Sequence, residues 1–425
     1  MHPVLYYSGK LSTTSGSKMN VSKDTQNTVF LTLCIMGFFT ILSSTMSKNP
    51  VLKPFSTYVG TPTDWTGVVA SASTIPGILV SLPAASLSDI YGRRRFLLIA
   101  GFVFASAPFL YLFIGVWWEL ILIRFYHGFA TAIFMPVAEA AVAESFPTKR
   151  GERISLFSSA TYVGRVIAPL LGGYILFTTG NSFHSLYLAA GIAGITGLIM
   201  AAPFLVRKET ATQEAMQRVT AREVVQKILQ GFRTVARCPG VLLVSFVQAC
   251  QYYAYGSAEY YLGGYLPEVA RLNEFQTGLV LTSIIAVGIF ARPYVGRISD
   301  RTGRRIPIIA GCLISSLPLF AIPFVADFWI LLSLAIVYGL GLATVMSSIQ
   351  PLICDLVPKE VVGTSMGFID TVMDIGQTLG PIITGLILGV SVLYGLQYTL
   401  VFPSLAVVLL IAAAVFASSK TARGK

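Results

Sequence analysis

Apolar runs of about twenty residues or more recur twelve times along this chain. A helix of that length is what crossing a hydrocarbon core of roughly 30 Å requires. No other feature limits the fold as much, because lipid cannot satisfy backbone hydrogen bonds and a helix satisfies its own. Composition agrees: 54% of residues are hydrophobic, 12% are charged and the mean hydropathy is +0.73, whereas soluble domains carry roughly 25% charged residues. The expected fold is an all-α membrane protein with twelve transmembrane helices. They are placed approximately at 28–57, 64–86, 95–116, 118–143, 154–178, 184–206, 240–266, 274–296, 305–325, 327–353, 361–390 and 394–417.

The twelve spans are one unit duplicated. Between spans eight and nine runs Gly296-Arg297-Ile298-Ser299-Asp300-Arg301-Thr302-Gly303-Arg304-Arg305, and Ala85-Ser86-Leu87-Ser88-Asp89-Ile90-Tyr91-Gly92-Arg93-Arg94-Arg95 repeats it 211 residues earlier. Gly128 with Gly339, Glu144 with Asp355 and Pro147 with Pro358 keep that offset. After one extra residue Gly164, Pro169 and Gly173 match Gly376, Pro381 and Gly385 at an offset of 212. Two pseudo-symmetric six-helix bundles follow, over 27–206 and 240–417, with tails at 1–26 and 418–425 and a linker at 207–239.

Even parity puts both termini on one side, and the Lys and Arg bias of inner loops decides which. With the termini cytoplasmic, the inner segments hold 24 of the 30 Lys and Arg residues, and the outer loops hold Lys48, Lys53 and Arg271. Arg124, Arg165 and Arg292 lie within spans. The net charge of +11 is thus a basic inner rim facing anionic lipid, and no nucleic-acid partner is implied. Residues 1–26 have no short apolar core of the signal-peptide kind. In the linker, Val224, Val225, Ile228, Leu229, Phe232 and Val235 recur at helical spacing among basic residues, as in a helix lying on the inner leaflet. Five scattered cysteines suggest no disulfide or metal framework.

The duplicated loop resembles the signature loop of the major facilitator superfamily, whose fold is two six-helix halves. Ala85 and Ile90 depart from that pattern in the first copy. Arg124-Phe125-Tyr126-His127-Gly128 is similar to the family's intramembrane Arg-x-x-Gln-Gly, with His127 in place of Gln. Gly164-Arg165-Val166-Ile167-Ala168-Pro169-Leu170-Leu171-Gly172-Gly173 resembles its antiporter motif. The end of span one, Asn49-Pro50-Val51-Leu52-Lys53-Pro54-Phe55, resembles a motif of the twelve-span drug:proton antiporters. The resemblance implies a conformational gate at Asp89, Gly92, Arg93 and Glu144, repeated at Asp300, Gly303, Arg304 and Asp355. It also implies helix packing through Gly164, Pro169, Gly172, Gly173, Gly376, Gly380 and Pro381.

The ionisable residues inside spans are the candidates for substrate and ion coupling, since such groups face a cavity or a partner. Arg124 and His127 share a helix face; His127 is either a proton relay or an interhelical hydrogen bond. Glu139 lies in the inner third of span four. Arg165 sits about 11 residues into span five, ~17 Å deep at 1.5 Å per residue, and either lines the cavity or pairs with an acid. Span seven carries Gln248, Gln251, Tyr252, Tyr253, Tyr255, Glu259, Tyr260 and Tyr261, as an interface belt or as a lining for cationic ligands. Glu259, in the outer half, reads equally well as a hydrated surface acid. In span eleven Asp370, Asp374 and Gln377 share one face, and their repeat equivalents are Ser158, Tyr162 and Arg165. Asp374 is the leading coupling residue, unless it and Asp370 are permanently paired with an arginine.

No enzymatic constellation, cofactor site or metal cluster is evident, so an ion gradient is the expected driving force. The leading expectation is a monomeric secondary transporter in the plasma membrane that exports hydrophobic or cationic small molecules in exchange for protons. Ion-coupled uptake or exchange of an anionic metabolite is the alternative, on the strength of Arg124 and Arg165. A membrane sensor that keeps the fold without transporting is a third reading, disfavoured by intact loops in both halves.

Overall fold

The computed structural model describes residues 23–146, 149–205, 233, 235, 237–358 and 362–419. The expected tails at 1–26 and 418–425 and the linker at 207–239 lie largely outside the described residues. Eleven helical stretches among these residues are long and apolar enough to cross a membrane. The twelfth, Pro239–Glu268, is 30 residues long, ~45 Å at 1.5 Å per residue. Its Gln, Tyr and Glu side chains hold its hydropathy down, and most of them are buried against protein.

The spans are Lys23–Met46, Thr63–Tyr91, Arg93–Phe113, Trp117–Ser145, Arg150–Thr178, Phe183–Leu205, Pro239–Glu268, Glu274–Thr302, Arg305–Phe324, Phe328–Leu356, Val362–Leu393 and Gln397–Ser418, called spans one to twelve. Two differ in form from the expectation. Span one stops at Met46, and a separate short helix, Leu52–Tyr58, follows the Asn49-Pro50 elbow. Pro50 cannot donate a helix hydrogen bond. Span two is broken in its middle, helical over Thr66–Ser71 and again over Ile75–Tyr91.

That break has a partner. Arg124 of span four donates to the carbonyl oxygens of Val69 (3.2 Å) and Ala70 (3.0 Å) and to Ser73 Oγ (2.6 Å). A guanidinium thereby satisfies carbonyls that the interrupted helix leaves open, which a membrane interior demands. Arg124 is buried and braces span two.

Three cores hold the bundle. One contains Leu33, Phe104, Phe134 and Phe157, all from the first half. Another contains Val244, Ile308, Val345 and Phe416, all from the second half. Both lie toward the end that carries the duplicated loops, here the motif end. The third core, at the far end, is shared: Leu42, Met46 and Leu52 pack in one cluster with Tyr260, Tyr265 and Phe402. The halves are therefore joined at the far end and separate at the motif end.

Spans two and eleven meet along one seam, and spans five and eight along another. Small residues make both close. A methyl group on Gly67 would strike the Pro381 carbonyl, and one on Gly278 would strike that of Pro169. Gly67 and Gly278 are 211 residues apart, so the two seams are copies of one joint.

Candidate substrate cavity and gates

Between the halves lies a cavity of about 590 Å³. Its wall includes Lys48 and Glu259 near the far end and runs past Ala85, Glu139, Gln350 and Gly367 toward the motif end. That volume is within the range of small-molecule sites. Six of the sequence candidates line it: Glu139, Arg165, Glu259, Asp370, Asp374 and Gln377. Arg124 and His127 do not.

His127 is 3% exposed and sits among aromatic rings, its centroid 6.3 Å from that of Phe104 and 6.0 Å from that of Tyr111. Its Nδ1 lies 3.3 Å from the Tyr111 hydroxyl, the interhelical hydrogen bond of the second sequence reading. His127 is not among the residues that line the cavity.

Glu259 is not a hydrated surface acid. It is buried and accepts from Lys48 Nζ at 2.5 Å, Asn49 Nδ2 at 2.5 Å and the Tyr255 hydroxyl at 3.2 Å. Lys48, expected in an outer loop, thus belongs to the cavity wall. Lys53, also expected outside, is buried and lies 3.7 Å from Glu268. The span-seven tyrosines divide between the cavity and the join of the halves. Tyr252 and Tyr255 line the cavity, while Tyr260 and Tyr261 are buried where the halves join, reaching Ser56 at 2.9 Å and the Pro381 carbonyl at 2.9 Å.

The remaining charges divide into two groups. Asp374, on the two–eleven seam, packs directly on Gly77: a Cβ there would lie 2.6 Å from the Asp374 carboxylate. Glu139 and Asp370 are within electrostatic reach of each other. None of these three acids forms an ion pair or hydrogen bond with its side chain among the described residues, and no three His, Cys, Asp or Glu side chains there converge as a metal site would need. On the five–eight seam, Arg292 donates to the Tyr162 hydroxyl at 2.6 Å and lies over its ring at 4.7 Å. Arg165 lies 5.8 Å from the same ring. Sequence reasoning noted Arg292 only as an intramembrane arginine and missed Tyr162 and Gly77 as contributors. The repeat held a signal, since Tyr162 is the equivalent of Asp374.

At the motif end each loop glycine adopts the left-handed region, Gly92 at φ 94° and Gly303 at φ 82°, where other residues are strained. The turn delivers Arg93 to Glu144 in a two-pronged contact, Nε to Oε2 at 2.7 Å and Nη2 to Oε1 at 2.6 Å. Arg93 also reaches Ser88 Oγ at 3.0 Å and Asp89 at 2.5 Å. Arg304 repeats the arrangement with Ser299 at 3.2 Å, with Asp300, and with Asp355 at 3.5 Å. Asp89 and Asp300 pair only within their own half among the described residues.

The packing motif lies against backbone. Gly164 touches the Phe38 carbonyl and Gly376, its equivalent, that of Ala249. Gly173 meets Glu274 of span eight, Gly380 meets Tyr253 of span seven, and Gly172 packs on the Asn49-Pro50 elbow. Such contacts let helices approach without side chains between them.

Comparison with known proteins agrees with this architecture. The Major Facilitator Superfamily model matches residues 29–381 and again 241–424. An uncharacterized MFS-type transporter of Methanocaldococcus jannaschii is 22% identical over 377 residues, covering 86% of this chain and 92% of that protein. The multidrug resistance protein MdtG of Dickeya zeae is 24% identical over 342 residues, 80% of each chain. Among solved structures, a bacterial homologue of the human lysosomal transporter Spinster, inward-facing and unoccupied, superposes with a TM-score of 0.79 at 17% identity over 94% of this chain and 98% of its own. The nucleoside transporter NupG superposes at 0.75, with 13% identity, over 93% of this chain and 100% of its own. With its duplicated loops, two-seam bundle and central cavity, this chain is a multi-pass membrane transporter that belongs to the Major Facilitator Superfamily.

Proposed function

We propose that this transporter exports small hydrophobic or cationic molecules in exchange for protons. The bundles 27–206 and 240–417 rock about the cavity so that it opens to each side in turn. The observation that carries this reading is the pair Asp370 and Asp374: two cavity carboxylates four residues apart on one helix face, without a cationic partner among the described residues. An unpaired carboxylate in a low-dielectric wall can trade a proton for a cation, because it cannot cheaply hold its charge alone. Tyr252, Tyr255 and Met346 add aromatic and polarizable surface to the same cavity, suited to the apolar body of such a molecule. The similarity to multidrug resistance proteins supports the same substrate class. In this reading the protein acts as a monomer in the plasma membrane, with both termini and the motif end cytoplasmic. The gate arginines hold each half rigid as it moves.

Purified protein in liposomes, loaded with a fluorescent lipophilic cation and given an imposed pH gradient, tests it. Movement of the dye against its own gradient, abolished by a protonophore, is expected. Equal dye movement with and without the pH gradient would sink proton coupling.

A further inference from the structure

The two seams are built on one plan with opposite chemistry. Gly77 and Gly288 are 211 residues apart, and Asp374 and Tyr162 are repeat equivalents at the offset of 212. Asp374 seats on Gly77, and the Tyr162 hydroxyl lies 3.7 Å from the Cβ position of Gly288. One seam presents an acid at this level; the other presents a tyrosine held between two guanidiniums. Ser81 and Gln350 of the cavity wall are the equivalents of Arg292 and Glu139, so the polarity is set by substitution at matched sites.

The two poles differ in what can neutralise them. A carboxylate can take up a proton, but a guanidinium does not release one in proteins. Arg165 and Arg292 therefore stay charged in every state of the cycle. The acid that acts electrostatically on Arg165, Glu259, forms no hydrogen bond with it among the described residues and is instead held by Lys48, Asn49 and Tyr255. Arg165 has no hydrogen bond or ion pair among the described residues, and the Nε of Arg292 is buried with no hydrogen-bond partner. Donors of this kind in a cavity wall are costly unless an acceptor arrives. The planar donor fork of arginine matches carboxylate and phosphate oxygens.

We infer that Arg165, Tyr162 and Arg292 form an anion-binding subsite for an organic carboxylate, phosphate or sulfonate group carried by the substrate. Combined with the proposed cation site at Asp370 and Asp374, on which only this last step rests, the transported class extends from apolar cations to zwitterions that place an anionic group at the five–eight seam and a cationic group toward the two–eleven seam. Fixed positive charge on one wall and titratable charge on the other lets protons compete with the cationic end alone.

The test is arginine footprinting of the full chain in lipid nanodiscs. Phenylglyoxal labelling of Arg165 and Arg292 is followed by mass spectrometry with benzoate, with its uncharged counterpart benzamide, or with chloride alone. At about ten times its Kd, benzoate should slow labelling of both arginines about tenfold, as site occupancy requires, while benzamide and chloride at the same concentration leave it unchanged. Tyr162→Phe should weaken the protection. Asp374→Asn should keep it, which separates failure of this subsite from failure of proton coupling. Equal labelling with benzoate and benzamide overturns the inference. So does protection by chloride alone, since a halide would then occupy the arginines, and so does absence of labelling at both, since a subsite must open to the cavity.

Discussion

Lys48 and Glu259 occupy equivalent positions in the two halves, 211 residues apart, and their side chains meet at 2.5 Å. The duplicated unit thus faces itself with a cation on one copy and an anion on the other, on the cavity wall beside the shared core. A contact between equivalent positions lies across the pseudo-symmetry axis, so it must break if the halves separate at the far end.

Lys48→Met should therefore favour the form open at the far end. Glu259 would remain beside Asn49 and Tyr255 with its charge unbalanced, at a cost on the order of 2 kcal/mol once the partial exposure of Lys48 is considered. Cysteine-reactivity or spin-label distances across the far end should shift toward the open form. The exchange Lys48→Glu with Glu259→Lys should recover most of the closed population; an unshifted distribution in Lys48→Met would rule out a gating role.

Gly77→Ala and Gly288→Ala are matched substitutions with unequal consequences. The methyl group at Gly77 meets the Asp374 carboxylate at 2.6 Å, whereas the nearest atom to that at Gly288 is the Tyr162 hydroxyl at 3.7 Å, an ordinary contact. Gly77→Ala should lower gradient-driven transport about tenfold or more by displacing Asp374, with a smaller loss of substrate binding because Asp370 stays in the cavity wall. Gly288→Ala should stay within about twofold of the unmodified protein. Equal effects in the same vesicle assay would contradict the seating of Asp374 on Gly77.

Sequence patterns reached the twelve-span architecture, since hydropathy and a fixed repeat offset report helix length and order directly. They also singled out Glu139, Arg165, Asp370 and Asp374, which line the cavity, because an ionisable residue inside an apolar run stands out. What they could not supply was direction. Arg124 looked like a cavity charge, yet the break in span two, which nothing in Val69-Ala70-Ser71 announces, gives it backbone carbonyls to satisfy. Lys48 reads from sequence as an outer lysine because a charge near the outer end of a span is ordinarily hydrated; its helix does end two residues earlier, at Met46. Its offset from Glu259 was nevertheless readable, and it marks a pair that hydropathy alone assigns to water.

At the gates, Arg93→Lys should slow transport several-fold while leaving substrate affinity nearly unchanged. An ammonium cannot reproduce the two-pronged contact with Glu144 together with the bond to Ser88. Asp300→Asn, which weakens the matching contact to Arg304, should act in the same direction. A change confined to the KM of either variant, measured in liposomes, would place these residues in binding instead of conformational exchange.

The most direct test of the account is Asp374→Asn in liposomes, with gradient-driven accumulation and gradient-free exchange of one substrate measured side by side. Asn keeps the size of the side chain and its seat on Gly77 but cannot bind and release a proton. Accumulation against a gradient should disappear, while binding, held by Asp370 and the rest of the cavity wall, and passive exchange persist. Normal uphill transport by Asp374→Asn would contradict the account and move the coupling proton to another acid of the cavity, with Glu139 the first to examine.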